Sequence, residues 1–331
     1  MSPAPAAGSR PTIKDVAAQA GVSTAAVSKV FNNTGRISEP TRRRVLETAG
    51  RLGWSPSASA SALRRARTHT VAMVVRRPTD VLGTDLHFSE LITGLESELS
   101  PRGYGLLLHL TGDVREETAL YERLAAEGRV DGAVLTEHRA DDPRPPLLER
   151  LGLPAVLLGT AHSSGVSEAV RHLLDLGHRR IAYVTGPTGL LHTRFRQRVF
   201  EETLAGAGLA PVAVLHTDFT EAAATSATEQ LLALDPRPTA IVFANDSMAV
   251  CGIGTAQRAG LSVPAELSVV GYDNLPVGSW IHPRLTTVDQ YVQRAGAAAA
   301  RALLAQCGED VPPEPLTGQP RLVVRESTGP V

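Results

Sequence analysis

The stretch TIKDVAAQAGVSTAAVSKVFN, residues 12–32, decides the fold of the N-terminal part of the chain. Its first apolar residues recur at i, i+3, i+4 and i+7, the spacing of one helix face: Ile13, Val16, Ala17 and Ala20. Thr12 is a suitable N-cap for this helix, and Gly21 is a suitable end. After the turn, Ser23 caps a second helix that directs Val27 inward. The spacing therefore predicts two short helices that cross at a glycine turn.

A third helix is predicted from Glu39 to Leu52, because Ser38 can initiate it and Gly53 can end it. Its apolar stripe is expected to consist of four residues, namely Val45, Leu46, Ala49 and Leu52. Residues 12–53 are thus interpreted as an all-α helix-turn-helix domain, and residues 1–11 are expected to be a disordered tail.

Charge is distributed unevenly along the chain. Residues 1–70 carry 11 Lys and Arg against 3 Asp and Glu, a net charge of +8, whereas the remainder carries −9. This asymmetry favours a polyanion-binding module joined to a mildly acidic body. The second helix offers small or hydrogen-bonding side chains where a major groove would be read: Ser23, Thr24, Ala25, Ala26, Ser28 and Lys29. A basic solvated tail and a purely structural helix pair are the alternatives.

Residues 54–69 are rich in Ser and Ala and contain three arginines near their end, which is typical of a linker. Ser55 followed by Pro56 also forms a plausible pair of N-cap and first helical residue. A short helix from Pro56 to about Leu63 is therefore possible, although two turns are marginal alone in water.

From residue 70 onward, short β-rich runs alternate with helical stretches: VAMVV, GLLLHL, GAVLT, AVLLG, IAYVT, AIVFA and LSVVGYD. This alternation predicts α/β architecture with parallel sheets covered by helices. The pattern restarts near His178, which favours two doubly wound lobes over one. The N-lobe is expected to comprise about 70–159 and 288–319, and the C-lobe about 160–287 and 320–331.

Ligands of open α/β sheets bind beyond the carboxyl ends of the strands. Asn245 and Asp246 follow AIVFA, Asp273 and Asn274 follow SVVGY, and Arg196 lies on the helix after IAYVTGP. A carboxylate, an amide and a guanidinium suit a polyol or a planar base. Asp246 and Asn274 are interpreted instead as helix caps. On the N-lobe, His87 and Phe88 are weaker candidates, and Phe88 has the alternative of belonging to the core.

Other function classes lack their motifs in this sequence. No GxSxG, GxxxxGK[ST] or HExxH motif is present, so an enzyme is not expected. Two cysteines are too few and too distant for a disulfide framework or a zinc site, and no metal or cofactor is predicted. The sequence has neither a signal peptide nor a run of about 20 apolar residues, which favours the cytoplasm. A solute-binding protein with two lobes would require that signal peptide and would have no helix-turn-helix.

The sequence resembles the LacI/GalR family of bacterial transcription regulators. Residues 12–32 match its N-terminal signature, and further segments extend the resemblance over nearly the whole chain: RVLETAGRLGWSPSASASAL, ITGLESELSPRGYGLLL, HLLDLGHRRIAYVTGP, FANDSMAVCGI, LSVVGYDN, RLTTVDQ and RLVVREST. The resemblance implies a nucleoid-associated repressor that binds a palindromic operator as a homodimer. It also implies a periplasmic-binding-protein-like body that binds a small-molecule effector, a sugar or related metabolite.

The resemblance also implies individual DNA contacts. Thr24, Ala25 and Lys29 occupy the base-reading positions. The phosphate-contacting positions are Thr12, Ser23, Ser28 and Asn32. In the family the linker becomes a hinge helix that inserts a leucine into the minor groove. Here Leu63 would be that leucine, with Ala60 on the packing face, whereas Ser57 and Ser61 replace the usual Asn and Arg.

For the effector, the resemblance implies contacts from Arg196, Asn245 and Asp273, with Phe219 as an aromatic wall. Two departures from the family bear on the ligand. Val199 stands where relatives commonly have Gly. Residues 160–168 replace a longer loop, and Ser163 and Ser164 stand near the place of an Asp-Asn pair, so one carboxylate is expected to be missing from the wall. A dimer without a tetramerising tail is expected because the sequence closes shortly after RLVVREST.

Overall fold

The computed structural model describes residues 11–32, 34–55, 67–77, 86–158, 164–312, 314 and 319–331. The chain divides into two compact units, Met1–Thr68 and His69–Val331. The residues predicted to form the hinge contacts lie outside the described residues: Ser57, Ala60, Ser61 and Leu63.

The described residues of the first unit form three helices, α1 (Ile13–Ala20), α2 (Thr24–Phe31) and α3 (Glu39–Leu52). Their buried core consists of Val16, Ala17, Ala20, Val27, Val30, Val45 and Ala49. The expectation that Leu46 belongs to the buried stripe is wrong, because its side chain is 45% exposed. Thr48 is buried instead. Successive helical residues are about 100° apart, so Leu46 points away from the face that Val45 and Ala49 share.

The N-lobe of the second unit begins with a four-stranded parallel sheet. Its elements are β1 (Thr70–Val75), α4 (Leu86–Leu99), β2 (Gly105–Leu110), α5 (Val114–Ala126), β3 (Gly132–Leu135), α6 (Arg144–Arg150) and β4 (Ala155–Leu157). A 3-10 turn, Ser100–Arg102, follows α4. The strand order is β2-β1-β3-β4, and all pairs are parallel. Because separate buried clusters cover the two faces of this sheet, both faces carry helices.

The C-lobe repeats this arrangement. Its elements are α7 (Ser164–Asp175), β5 (Ile181–Thr185), α8 (Leu191–Gly206), β6 (Val214–His216), α9 (Glu221–Leu232), β7 (Ala240–Phe243), α10 (Asp246–Arg258), β8 (Ser268–Val270) and α11 (Val277–Trp280). The strand order is β6-β5-β7-β8, again parallel. The two sheets confirm the predicted α/β fold with two doubly wound lobes.

The last elements connect the lobes. β9 (Thr287–Asp289) pairs antiparallel with β10 (Arg321–Val323), and α12 (Val292–Gln306) lies between them in the chain. α12 returns to the N-lobe and packs along α4. Gly94 and Gly296 lie at that contact: a Cβ on Gly94 would lie 2.0 Å from the carbonyl oxygen of Gln293. The close approach of the two helices therefore requires glycine.

Candidate functional site

Helix α2 of the first unit buries one face and exposes the other. The Ala26 backbone N–H donates to Ser23 Oγ at 3.1 Å, which fixes the start of the helix. Val27 and Val30 are buried in the core of the unit. The three predicted base-reading residues are exposed: Thr24, Ala25 and Lys29. The helix therefore presents them outward, as reading a groove would require.

The predicted phosphate contacts lie at the ends of the first two helices. Thr12 starts α1, and its hydroxyl donates to Asp15 Oδ2 at 2.7 Å while its backbone N–H donates to the same oxygen at 2.8 Å. These hydrogen bonds from Thr12 lower the pKa of Asp15. At the end of α2, Asn32 Nδ2 donates to Ser28 Oγ at 3.0 Å. Thr12 and Ser23 are exposed, and Ser28 and Asn32 are half-buried. Their contacts with DNA remain predictions.

In the second unit, a cleft of about 150 Å³ lies where strands of both sheets end. Its lining includes every residue predicted to contact the effector: His87, Phe88, Arg196, Phe219, Asn245 and Asp273. It also includes residues that the sequence did not single out: Arg77, Thr136, Glu137, His138, His192 and Gln290. The fold therefore gathers the candidate residues of both lobes around one space.

Arg196 and Asp273 are joined through Gln290. Arg196 Nη2 donates to Gln290 Oε1 at 3.0 Å, and Gln290 Nε2 donates to Asp273 Oδ1. Arg196 Nη1 also donates to the Ala244 carbonyl at 3.3 Å, and the guanidinium carbon lies 3.8 Å from the centre of the Tyr272 ring. The guanidinium is thus fixed in position before any ligand arrives, as in a preorganised binding site.

Asn245 lies in the cleft wall and is also the N-cap of α10, because its Oδ1 accepts from the Met248 backbone N–H at 2.8 Å. The expectation that Asp246 caps this helix is therefore wrong. Asp246 is fully buried and instead accepts hydrogen bonds from the Leu275 backbone N–H and the Thr287 hydroxyl. Burial, with the negative charge of nearby Asp273, raises the pKa of Asp246 well above its ordinary value.

Asn274 was also expected to cap a helix, and this expectation is wrong. The next helix, α11, has Pro276 at its N-cap. Asn274 Nδ2 donates instead to Asp289 Oδ2 at 3.2 Å, and its Oδ1 accepts from Arg325. Asn274 thereby ties the loop after β8 to β9 and to the C-terminal segment.

Two aromatic rings of the cleft lie close to one guanidinium. The Arg77 guanidinium carbon is 4.7 Å from the centre of the Phe219 ring and 5.3 Å from that of Phe88. Arg77 Nε donates to Glu137 Oε1 at 2.6 Å. His87 Nδ1 lies 3.5 Å from Asp273 Oδ1. Phe88 is both a buried core residue and part of the cleft wall, so the two alternatives for it coexist.

Positive charge converges on His192. Its ring is stacked near Phe219, with 6.3 Å between ring centres. Desolvation, together with the positive charges of Arg196, His87 and Arg77, lowers the pKa of His192 well below its ordinary value. The imidazole is therefore neutral at pH 7.

A buried ion network supports the N-lobe wall of the cleft. Arg144 Nη1 contacts Glu117 Oε1 at 3.3 Å, and its Nη2 contacts Asp142 Oδ2 at 2.6 Å and the Thr136 carbonyl at 2.8 Å. Asp142 also lies 3.1 Å from His138 Nδ1. Burial raises the pKa of Glu117, and the positive charge of Arg144 opposes that shift. The network fixes the segment that presents residues 136–138 to the cleft.

A carboxylate was expected to be missing from the cleft wall near Ser163 and Ser164. Ser163 lies outside the described residues, and Ser164 begins α7. Glu137, which follows β3, supplies a carboxylate to the wall from another segment. Reading the ends of the N-lobe strands as closely as those of the C-lobe would have indicated Arg77 and Glu137, since they follow VAMVV and GAVLT.

These features define a class of protein: a basic helix-turn-helix unit joined to a two-lobed α/β body with a ligand cleft. Within the described residues, no helix is both long and apolar enough to cross a membrane. Residues 12–57 match bacterial regulatory proteins of the lacI family, and residues 170–328 match the periplasmic binding protein-like domain. The chain belongs to the lacI family, which confirms the resemblance inferred from its sequence, and it is a DNA-binding transcription regulator.

Individual relatives cover almost the full length of the chain. The HTH-type transcriptional repressor PurR of Aliivibrio fischeri (strain MJ11) is 34% identical over 334 residues, covering 96% of this chain and 98% of the relative. PurR of Vibrio cholerae serotype O1 (strain M66-2) is 35% identical over 308 residues, covering 88% and 90%.

Solved structures of the same family have a similar fold. The lac repressor dimer bound to operator and the anti-inducer ONPF superposes with a TM-score of 0.85 at 26% identity, covering 97% of this chain and 100% of that one. The complex of the transcriptional regulator CelR with cellobiose has a TM-score of 0.71 at 31% identity, covering 96% and 100%. The fold of the body is thus one that binds small molecules in other members.

Proposed function

We propose that this protein is a transcriptional repressor that binds a palindromic operator as a homodimer. Its affinity for DNA is modulated by a small-molecule effector, a sugar or related metabolite, in the cleft of the second unit. The observation that carries the proposal is the exposed face of α2, where Thr24, Ala25 and Lys29 stand together in a strongly basic unit. Phosphate contacts supply affinity and register, and base contacts supply sequence preference.

Each base-reading residue has a distinct chemistry. Lys29 offers a charged donor to guanine acceptors, and Ala25 offers only a methyl group, which suits apolar contact with thymine. The relatives named PurR are repressors, which supports repression as the direction of control.

The experiment is selection of bound sites from random DNA by the full-length protein, followed by competition gel shifts in 150 mM salt. We expect a palindromic consensus bound at least 1000-fold more tightly than random DNA. Lys29→Ala should weaken binding to the consensus by about 5–150-fold, equivalent to about 1–3 kcal/mol, and relax preference at one base pair of each half-site. Gln19→Ala is the matched control, since Gln19 is an exposed polar residue of α1 outside the predicted contacts. Binding to all sequences with equal affinity would contradict the proposal.

The dimer is proposed on two grounds. The lac repressor structure with the same fold is a dimer. In addition, Trp280 at the end of α11 is 77% exposed, and α11 packs on α10. A large exposed indole at this position is typical of an interface hot spot. We propose that a second copy of this chain covers the face formed by α10 and α11.

The effector is proposed to lie against Arg196, Asn245 and Asp273, with Phe219 as one wall. All four residues line the cleft, and three of them carry hydrogen-bonding groups suited to hydroxyls. CelR, which was solved in complex with cellobiose, supports a carbohydrate-like ligand. Arg196→Ala should abolish the response of DNA binding to the effector while operator binding without effector persists.

A further inference from the structure

The N-terminal turn of helix α8 (Leu191–Gly206) faces the ligand cleft. The helix has 16 residues, its N-cap Leu190 makes no side-chain cap hydrogen bond, and its first turn contains no acidic residue. The N-terminus of such a helix carries a partial positive charge and backbone N–H groups that attract anions. His192 and Arg196 lie one turn apart on this helix, and both line the cleft.

A buried hydroxyl on the facing wall lacks a partner. Thr136 is 6% exposed and lines the cleft, yet within the part of the chain that the structure describes its Oγ1 has no hydrogen-bond partner. The Leu191 backbone N–H donates to the His138 carbonyl at 2.8 Å, so the segment after β3 and the first turn of α8 meet at this point. Buried polar groups are nearly always satisfied, and a bound ligand is one way to satisfy this one.

The charges that line the cleft balance in number, Arg77 and Arg196 against Glu137 and Asp273, but they are not paired alike. Glu137 pairs with Arg77, and His87 Nδ1 lies 3.5 Å from Asp273 Oδ1. Among the described residues, Arg196 hydrogen-bonds to uncharged acceptors, the Ala244 carbonyl and Gln290. The positive charges that depress the pKa of His192 belong to side chains of the same cleft. An anion placed here would stabilise the protonated imidazole and gain a further charged hydrogen bond.

A neutral planar ring fits this cleft less well. The Arg77 guanidinium lies against both the Phe88 and the Phe219 ring and is also paired with Glu137. A nucleobase that stacked on the ring faces in contact with Arg77 would have to displace these cation–π and ionic contacts. An anionic group at α8 requires no such displacement.

We infer that the effector carries an anionic group, a phosphate or a carboxylate, bound between the N-terminal turn of α8, Arg196 and the Thr136 hydroxyl. The hydroxylated part of the ligand then extends toward Asn245 and Asp273. This inference rests on the proposed function of the cleft as the effector site. It makes Thr136 and His192 determinants of specificity that distinguish an anionic metabolite from its neutral parent.

The test is thermal unfolding of the full-length protein in sodium phosphate and, separately, sodium acetate, each balanced with NaCl to constant ionic strength. Glucose 6-phosphate and glucose form a second pair of probes. At least one anion should raise Tm saturably, by about 3 °C at ten times its Kd, and glucose should not. A response to phosphate alone indicates a phosphate ester as the ligand, and a response to acetate alone indicates a carboxylate.

Three variants separate anion binding from general effects. Arg196→Gln should reduce the affinity for the anion at least 10-fold. Thr136→Val removes the unpartnered hydroxyl, so the free protein should be no less stable while its response to the anion shrinks. Arg198→Gln is the matched control, because Arg198 is exposed on the same helix and does not line the cleft. The inference is overturned if no anion gives a saturable rise in Tm. It is also overturned if the rise in Tm is as large in Arg196→Gln and Thr136→Val as in the wild type.

Operator binding is measured on the same preparations. If the operator is bound specifically and no anion binds, the inference fails while the proposed function stands. If an anion binds and no DNA sequence is preferred, the proposed function fails instead.

Discussion

His178 shows how a single buried residue can couple the stability of the body to pH. Its Nδ1 lies 2.9 Å from Thr239 Oγ1, and its Nε2 lies 3.0 Å from both Ser268 Oγ and the Gly329 carbonyl. Burial lowers the pKa of His178. The hydrogen bond to Gly329 raises this pKa, and the neighbouring His172 lowers it, so the net shift is downward. The imidazole therefore serves as a neutral link between two strands and the C-terminal segment.

The sign of the pH dependence follows from this shift. Because the folded pKa lies below the unfolded value of about 6.5, the native state binds fewer protons than the unfolded state, and stability is lost as the pH falls below about 6.5. The free energy of unfolding, measured in urea, should decrease between pH 7.5 and 5.5. His178→Gln should reduce that slope and cost about 1–3 kcal/mol at pH 7.5, since it removes part of a buried network. His282→Gln, at a histidine with a 94% exposed side chain, should leave the slope unchanged. An unaltered slope in His178→Gln would contradict this account.

Residues near one another in the sequence were predicted better than residues that meet only in the fold. Ser23 and Gly21 act within one turn of their own helices, so residue type and position were sufficient. Gln290 enters the cleft from a segment far along the chain from Arg196, with which it hydrogen-bonds, and no local pattern marks it. The wrong assignment of the helix cap to Asp246 has the same origin, because buried Asp246 hydrogen-bonds to Thr287, 41 positions away.

At the level of elements, the contact of α4 with α12 connects the two parts of the N-lobe. A Cβ on Gly94 would lie 2.0 Å from the Gln293 carbonyl oxygen, and a Cβ on Gly296 would lie 2.6 Å from that of Leu91. Both contacts involve helix backbone, which cannot move aside as a flexible side chain could. Gly94→Ala should therefore separate the helices and lower the free energy of unfolding by about 1–3 kcal/mol.

The control for this prediction is another helical glycine. A Cβ on Gly206, at the end of α8, would meet no atom within 4 Å, so Gly206→Ala should leave stability unchanged or slightly raised. Equilibrium denaturation of both variants in urea, with the slope checked for two-state behaviour, distinguishes them. Equal stabilities of Gly94→Ala and Gly206→Ala would show that the helix contact tolerates a methyl group.

The sequence identified the seven longer apolar runs as strands, and all seven form parallel strands in the two lobes. It did not identify β6, β9 or β10, each of which has three residues. The pairing of β9 with β10 joins positions more than 30 residues apart, so only the closed fold defines it.

At the scale of the whole molecule, the basic helix-turn-helix and the cleft belong to different compact units of the chain. The boundary between the units lies between Thr68 and His69, close to the point where the net charge changes sign. A basic unit makes DNA affinity dependent on salt, whereas in the proposed function the cleft supplies a response to a metabolite. Coupling between the two requires that the effector bind one state of the protein more tightly than the other.

The proposed dimer gives the last prediction, because a palindromic operator requires two copies of the helix-turn-helix unit. Trp280→Lys places a charge on the exposed indole position of α11 and should yield a species of 35.0 kDa in sedimentation equilibrium, where the wild type has twice that mass. Operator affinity should then fall by about 100-fold or more, since the second half-site no longer binds at high effective concentration. Leu234→Lys is the matched control, at an apolar residue 41% exposed outside α10 and α11. If the Trp280→Lys protein remains dimeric, this face is excluded as the interface. If it becomes monomeric without losing operator affinity, the link between dimerisation and operator recognition is refuted.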